Sequence, residues 1–106
     1  MSPEQARGQI TDARTDLFSL GTVIYQMATG ILPFQGETSA VIFDSILNRD
    51  PAPLSQANPS VPAELNRVVG RALEKDRNLR YQTATDLKTE LLRFKRDLDS
   101  GARRSI

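Results

Sequence analysis

The side chains that could do chemistry in this chain of 106 residues are almost all carboxylates and cations. The sequence contains 13 Asp and Glu and 14 Lys and Arg, but no Cys and no His. The absence of these two residue types excludes thiolate or imidazole metal sites, disulfides, cysteine nucleophiles and any His-based general base. None of the six glycines approaches the spacing of a phosphate-binding loop. The sequence therefore predicts no catalytic, cofactor-binding or metal-binding residue.

The charge and hydropathy patterns argue against nucleic acid and membrane as partners. A net charge of +1 produces no strong field. Nucleic-acid binding is a weak alternative, because Asp97 and Asp99 interrupt the basic run and no aromatic array for base stacking accompanies it. The basic residues of this run are Arg93, Lys95, Arg96, Arg103 and Arg104. The longest apolar-leaning stretch, 17–28, is far shorter than the ~20 residues that span a bilayer, and no signal peptide is visible. We therefore expect a cytoplasmic chain with no membrane segment.

The elements that must position these side chains are predicted to be helices alone. Hydrophobic periodicity and capping residues predict an all-α fold with about four main helices and no strand. The predicted helices cover approximately 15–29, 38–48, 62–73 and 83–99. Four prolines between 50 and 62 predict a loop without helix, in which Pro62 is the first position of the next helix.

The first predicted helix is apolar on nearly every side, a pattern typical of a helix at the centre of a domain. Thr15 is its predicted N-cap and Gly30 its predicted C-cap. Gly21 lowers its helix propensity by about 1 kcal/mol relative to Ala, which favours a close approach by another element. A glycine that is merely tolerated is an equally good interpretation.

Three short segments, in their order and spacing, carry a resemblance to a known family. They are MSPEQ at 1–5, DLFSLG at 16–21, and RY at 80–81. Together they resemble the C-terminal lobe of a bacterial-type protein serine/threonine kinase domain. The first is similar to the Ala-Pro-Glu motif that closes the activation segment, with Ser2 in place of Ala. The second resembles the Asp-x-Trp-Ser-x-Gly start of the central F helix, with Phe18 in place of Trp, and the third the Arg-Tyr element before the last helix.

The resemblance covers residues 1–98 and implies that the four helices are the F, G, H and I helices of the kinase C-lobe, with 99–106 as a tail or the start of a linker. It implies that Glu4 forms a buried ion pair with Arg80, although an exposed surface pair is the alternative. It implies that Asp16 accepts hydrogen bonds from the backbone of a catalytic loop, although a favourable first-turn carboxylate is the alternative. Gly21 is implied as a structural residue.

The resemblance also implies what this chain lacks. Phosphoryl transfer needs a Gly-rich loop, a strand Lys, a catalytic-loop Asp and an Asp-Phe-Gly metal ligand, and none is present. ATP and Mg²⁺ would be held by a missing N-terminal part of the kinase, the first expected partner. We therefore expect a fragment of a protein serine/threonine kinase that is inactive alone. Its central helix would expose an apolar face and promote association.

The second predicted helix carries four large apolar side chains that cannot all face inward on a short peripheral helix: Ile42, Phe43, Ile46 and Leu47. In the family this G-helix region often contacts protein substrates or regulators, so these residues are a candidate partner surface. The simpler interpretation is that they pack against the central helix and the proline-rich loop. A stand-alone helical interaction module is therefore the alternative function.

Overall fold

The computed structural model describes the backbone of residues 1–104 and the side chains of residues 1–96. Six helices and no strand occur in this part of the chain, which confirms the predicted all-α class. The helices are α1 (Pro3–Ala6), α2 (Ala13–Thr29), α3 (Ser39–Asn48), α4 (Leu54–Ala57), α5 (Ala63–Ala72) and α6 (Ala84–Arg104). None of them is long and apolar enough to cross a bilayer.

Helix α2 begins at Ala13 because Asp12, and not Thr15, is its N-cap. The Asp12 carboxylate accepts a hydrogen bond from the Arg14 N–H at 2.9 Å, and the Thr15 hydroxyl accepts one from the Asp12 N–H at 3.4 Å. The two contacts form a capping box in which Thr15 is the third helical residue. The predicted N-cap was therefore wrong by one turn. Gly30 ends the helix in the left-handed conformation, with φ of 77°, as predicted.

Helices α2 and α5 approach each other closely at Gly21. A Cβ atom added to Gly21 would lie 2.9 Å from the Ala72 Cβ and 3.1 Å from the Leu73 Cδ2. Non-bonded carbon atoms prefer separations of about 3.5–4.0 Å, so only glycine permits this packing. Of the two interpretations of Gly21, the structure therefore favours the close approach.

Two buried apolar clusters are built around α2. The first lies between α2, the loop after it, α3, α4 and α5, and contains Phe18, Tyr25, Phe34, Ile46, Leu54, Val69 and Leu73. The second joins α2 to α5, α6 and the loop between them, and contains Leu17, Val68, Ala72, Tyr81 and Leu87. The apolar stripe of α5 faces α2, as its periodicity predicts.

The opposite face of α2 is exposed. Its residues Leu20, Val23 and Met27 are 43%, 51% and 80% exposed. The apolar pattern predicted that α2 is buried on nearly every side. This prediction is wrong for the described chain, because none of its elements covers this face of α2. The exposed face agrees with the expectation that the central helix exposes an apolar face when the N-terminal part of the kinase is missing.

Besides the unpredicted short helix α1 and the start of α2, three features of the helices differ from the sequence predictions. Helix α4 lies inside the predicted loop, because the five residues after Pro53 contain no proline, and the buried Leu54 anchors the helix by donating its N–H to Asn66 at 2.9 Å. Pro62 is the N-cap of α5 and not its first residue. Helix α6 runs to Arg104, past the predicted end at residue 99, since no proline follows to stop it. The side chains of 97–106 lie outside the described residues, and the assignment of 99–106 as a tail stays a prediction.

The contact at Gly21 predicts opposite effects for two glycine substitutions. Gly21→Ala should lower the free energy of unfolding by about 1–3 kcal/mol, because the Ala72 Cβ cannot move unless α5 moves with it. Gly70→Ala is the matched control in α5, since no atom lies within 4 Å of its added Cβ. It should stabilise the chain by about 0.4–1 kcal/mol. Chemical denaturation of both variants measures the difference, and a stabilising Gly21→Ala would contradict the close approach.

Candidate functional site

The candidate site is formed where α1 meets the loop between α5 and α6. Ser2 caps α1, because its hydroxyl accepts from the Gln5 N–H at 3.2 Å while its own N–H donates to the Gln5 side chain at 2.8 Å. Pro3 occupies the first helical position, where its missing N–H costs nothing. This reciprocal cap was not foreseen from the sequence, although Ser2, Pro3 and Gln5 are its signature. It holds Glu4 in the first turn, with its side chain directed inward.

Glu4 and Arg80 form a bidentate ion pair although they lie 76 residues apart in sequence. Arg80 Nη1 donates to Glu4 Oε2 at 2.8 Å, and Arg80 Nη2 donates to Glu4 Oε1 at 3.0 Å. The Arg80 side chain is 0% exposed and the Glu4 side chain is 3% exposed. The structure therefore brings these two sequence-predicted residues together and shields both of them from solvent.

The remaining donors and acceptors of the pair are also satisfied. Thr15, whose part was not foreseen, donates its hydroxyl to Glu4 Oε2 at 2.9 Å. The other N–H groups of Arg80 donate to three backbone carbonyls, those of Arg14, Glu74 and Lys75, at 2.8, 2.9 and 3.3 Å. All five guanidinium N–H groups of Arg80 thus have acceptors. The pair joins α1, the start of α2 and the loop after α5 at one point.

The Glu4 carboxyl is a much stronger acid here than in water. Burial alone would raise its pKa, but hydrogen bonds from Arg80, from the Glu4 backbone and from Thr15 outweigh the burial and lower the pKa from 4.5 to about 2. The carboxylate is therefore ionised at neutral pH. The arrangement presents no reactive group to solvent, and its chemistry is that of a structural junction.

A column of cations and rings continues from the ion pair toward α3. The guanidinium carbon of Arg80 lies 4.9 Å from the centre of the Phe18 ring. The Phe18 ring stacks on Phe34, with centroids 5.8 Å apart and planes inclined by 10°. The ammonium of Lys75 then lies 4.6 Å from the centre of the Phe34 ring. Both cations lie within the range of a cation–π interaction.

A second, exposed cluster fastens the segment after α1 to the same loop. Arg14 forms an ion pair with Asp12 at 2.7 Å and donates to the Asn78 side chain at 2.9 Å. Arg77 donates to the Ile10 carbonyl at 2.6 Å. Hydrogen bonds from Arg14 lower the pKa of the Asp12 carboxyl to about 2. This cluster was also not predicted, because neither its residue types nor their spacing distinguish it from an ordinary charged surface.

The two other residues singled out from the sequence lie away from the ion pair. Asp16 is exposed in the first turn of α2 and makes no hydrogen bond or ion pair with any residue of the described chain. The expected bond from Asp16 to a catalytic loop stays a prediction. Gly21 lies at the contact between α2 and α5.

The candidate partner surface on α3 is divided between the core and solvent. Ile46 is buried, Ile42 and Leu47 are half-buried, and Phe43 is 41% exposed. Ile42, Phe43 and Ile46 line a shallow pocket of about 200 Å³ together with Phe34. The four apolar residues therefore do not all face inward, because Phe43 is exposed.

Removing one charge of the buried pair should strongly lower the free energy of unfolding. Glu4→Gln keeps the shape of the side chain but leaves the Arg80 charge buried without a counter-ion, so we expect the free energy of unfolding to fall by about 3–5 kcal/mol. Glu64→Gln removes an exposed partner of Arg67 and should cost less than about 1 kcal/mol. Denaturant titrations of both variants make the comparison, and equal small losses would show that the Glu4 pair is not buried.

The same pair predicts a stability change in acid. Because folding lowers the pKa of Glu4, its stabilisation is present above pH 4.5 and is lost as the pH falls toward 2. The loss should be on the order of 3 kcal/mol. Asp12 and Glu90 also have lowered pKa values, so the measured quantity is the difference in pH dependence between the chain and its Glu4→Gln variant. Parallel curves between pH 5 and 2 would rule out the low pKa of Glu4.

Similarity to known proteins agrees with this geometry. No protein-family model matches the chain. The chain is 42% identical over 96 residues to a probable serine/threonine-protein kinase of Clostridium perfringens, covering 91% of this chain and 14% of the relative. It is 43% identical over 93 residues to the serine/threonine-protein kinase PknB of Mycolicibacterium smegmatis, covering 88% and 15%. The chain thus spans about one seventh of the length of these curated relatives.

Solved structures that superimpose on this chain are also kinases. The autoinhibited serine kinase domain of titin superimposes with a TM-score of 0.77 at 31% identity, covering 84% of this chain and 27% of that one. The twitchin kinase region from C. elegans superimposes with a TM-score of 0.71 at 25% identity, covering 76% and 14%. The chain is therefore similar to a short segment of bacterial serine/threonine protein kinases, and its helical fold matches part of solved kinase domains.

Proposed function

We propose that this chain forms the C-lobe core of a serine/threonine kinase, and that the whole protein transfers the γ-phosphate of ATP to Ser or Thr hydroxyls of proteins. The observation that carries the proposal is the buried pair of Glu4 and Arg80, which joins the first and third of the segments that resemble the family. In such a kinase the pair would fix the end of the activation segment to the helical core. The kinase relatives and kinase folds support the assignment.

The chain by itself is proposed to be inactive. Its residues do not fit ATP or Mg²⁺, because the glycines lack a phosphate-loop spacing and, among the described residues, no group of three or more carboxylates could hold a metal ion. ATP and Mg²⁺ would both bind to the N-terminal part of the kinase, which is the principal proposed partner of this chain. A cytoplasmic location, where ATP and protein substrates meet, belongs to the same proposal.

The exposed face of α2 is proposed to contact that N-terminal part. Leu20, Val23 and Met27 form a row on this face, and Asp16 lies exposed one turn before Leu20. Buried apolar contacts would cover the row, while the Asp16 carboxylate would accept hydrogen bonds from the backbone of the catalytic loop. The central helix would then hold the catalytic loop on one side and the Glu4 pair on the other.

A chimeric kinase tests the proposal. The matching segment of PknB from M. smegmatis is replaced by this chain, and phosphoryl transfer from ATP to a protein substrate is measured. We expect the chimera to be active and the chain alone to be inactive. Glu4→Gln in the chimera should remove most of the activity, whereas the matched control Glu64→Gln should retain it. A folded, ATP-binding chimera without activity would contradict the assignment, and activity of the chain alone would contradict its proposed inactivity.

A protein-interaction module is the second candidate, favoured by the apolar residues exposed around α3. Leu32, Val41 and Phe43 are 50%, 46% and 41% exposed. In a kinase this surface would contact a protein substrate or regulator, and in a stand-alone module it would be the whole function. A chain that melts cooperatively as a monomer, and that binds a protein only while Phe43 is intact, would favour the module over the kinase segment.

A further inference from the structure

The C-terminal end of helix α3 has neither a left-handed cap nor a basic residue in its last turn. Its C-cap, Arg49, is extended. The Arg49 N–H donates to the Ser45 carbonyl at 3.1 Å. Because this bond satisfies Ser45, the carbonyls that lack a partner within the helix begin at Ile46, and their partial negative charge attracts cations. The end of α3 therefore needs a donor from elsewhere in the chain.

Lys75, from the loop after α5, is that donor. Its ammonium donates to the Ser45 carbonyl at 3.1 Å and to the Ile46 carbonyl at 2.7 Å. The same ammonium lies over the ring of Phe34, in the segment that leads into α3. Lys75 is half-buried, and this burial lowers the pKa of its ammonium. One side chain from a distant loop thus contacts both the end of α3 and the segment before it.

The backbone of Lys75 is in turn held by the buried ion pair. Arg80 donates to the carbonyls of Glu74 and Lys75 at 2.9 and 3.3 Å. The ammonium of Lys75 also terminates the stack that begins at Arg80. Glu4 is therefore connected to α3 by a continuous chain of contacts through Arg80 and Lys75. Among the residues that the structure describes, the other tertiary polar contact of α3 is weak, a 3.4 Å hydrogen bond from the Ser45 hydroxyl to the Gln35 carbonyl.

We propose that Lys75 is a positioning residue that caps α3 from outside the helix and sets the position of its exposed apolar surface. The end of the activation segment and the α3 surface then share one anchor, the loop from Glu74 to Arg80. The capping role itself stands on the contacts above. Its consequence for a protein substrate rests on the kinase function proposed here.

Hydrogen exchange of the intact chain tests the capping role. Lys75→Met keeps the aliphatic stem but removes the donors and the charge, so amides of 39–48 should exchange about tenfold to a hundredfold faster, while those of 63–72 stay unchanged. Lys75→Arg should restore most of the protection. Lys88→Met, at an exposed position of α6, is the control and should change nothing. Unchanged exchange in α3, or an equal increase in every helix, would overturn the proposal.

The chimeric kinase separates this inference from the proposed function. Lys75→Met should raise the KM for the protein substrate while kcat and the KM for ATP stay unchanged, and Lys75→Arg should restore the KM. Faster exchange in α3 with an unchanged substrate KM would retain the capping role and refute the partner surface on α3. A change in kcat and in both KM values together would indicate general destabilisation and overturn positioning as the role of Lys75.

Discussion

The described fold depends on one buried ion pair, because a carboxylate and a guanidinium without water must have every other hydrogen-bonding group satisfied. For Glu4 and Arg80, those groups come from three separate parts of the chain: the capped turn of α1, the first turn of α2 and the loop after α5. The pair can form only when all three have reached their final positions. It therefore acts mainly as a constraint on arrangement, since burial of two charges offsets much of their attraction.

The contacts of this pair extend further than its two residues. Arg80 stacks on Phe18, and the neighbouring ring and Lys75 continue the stack to α3. A short peripheral helix whose C-cap is extended and not left-handed thereby receives a fixed position. In a kinase, this arrangement would connect the end of the activation segment to a surface for protein partners through ordinary packing and hydrogen bonds.

Helix α2 has two apolar faces, of which one is buried and the other is exposed. One face packs on α5, where Gly21 removes the side chain that would separate the helices. The other face, with Leu20 and Val23, stays exposed in the described chain. A helix of this composition is typical of a domain centre, and in the kinase proposed here the N-terminal part would cover this exposed face.

Sequence alone determined the helical class and the approximate positions of α2, α3, α5 and α6, because apolar periodicity and end caps are local properties. It located α2 but shifted its cap from Asp12 to Thr15, since both residues are good N-caps and only the backbone geometry distinguishes them. The sequence also named Glu4 and Arg80, but left an exposed pair as an alternative. Tertiary structure decided their burial, the contact at Gly21 and the reach of Lys75 to α3, because each depends on segments that are distant in sequence and meet only in the packed chain.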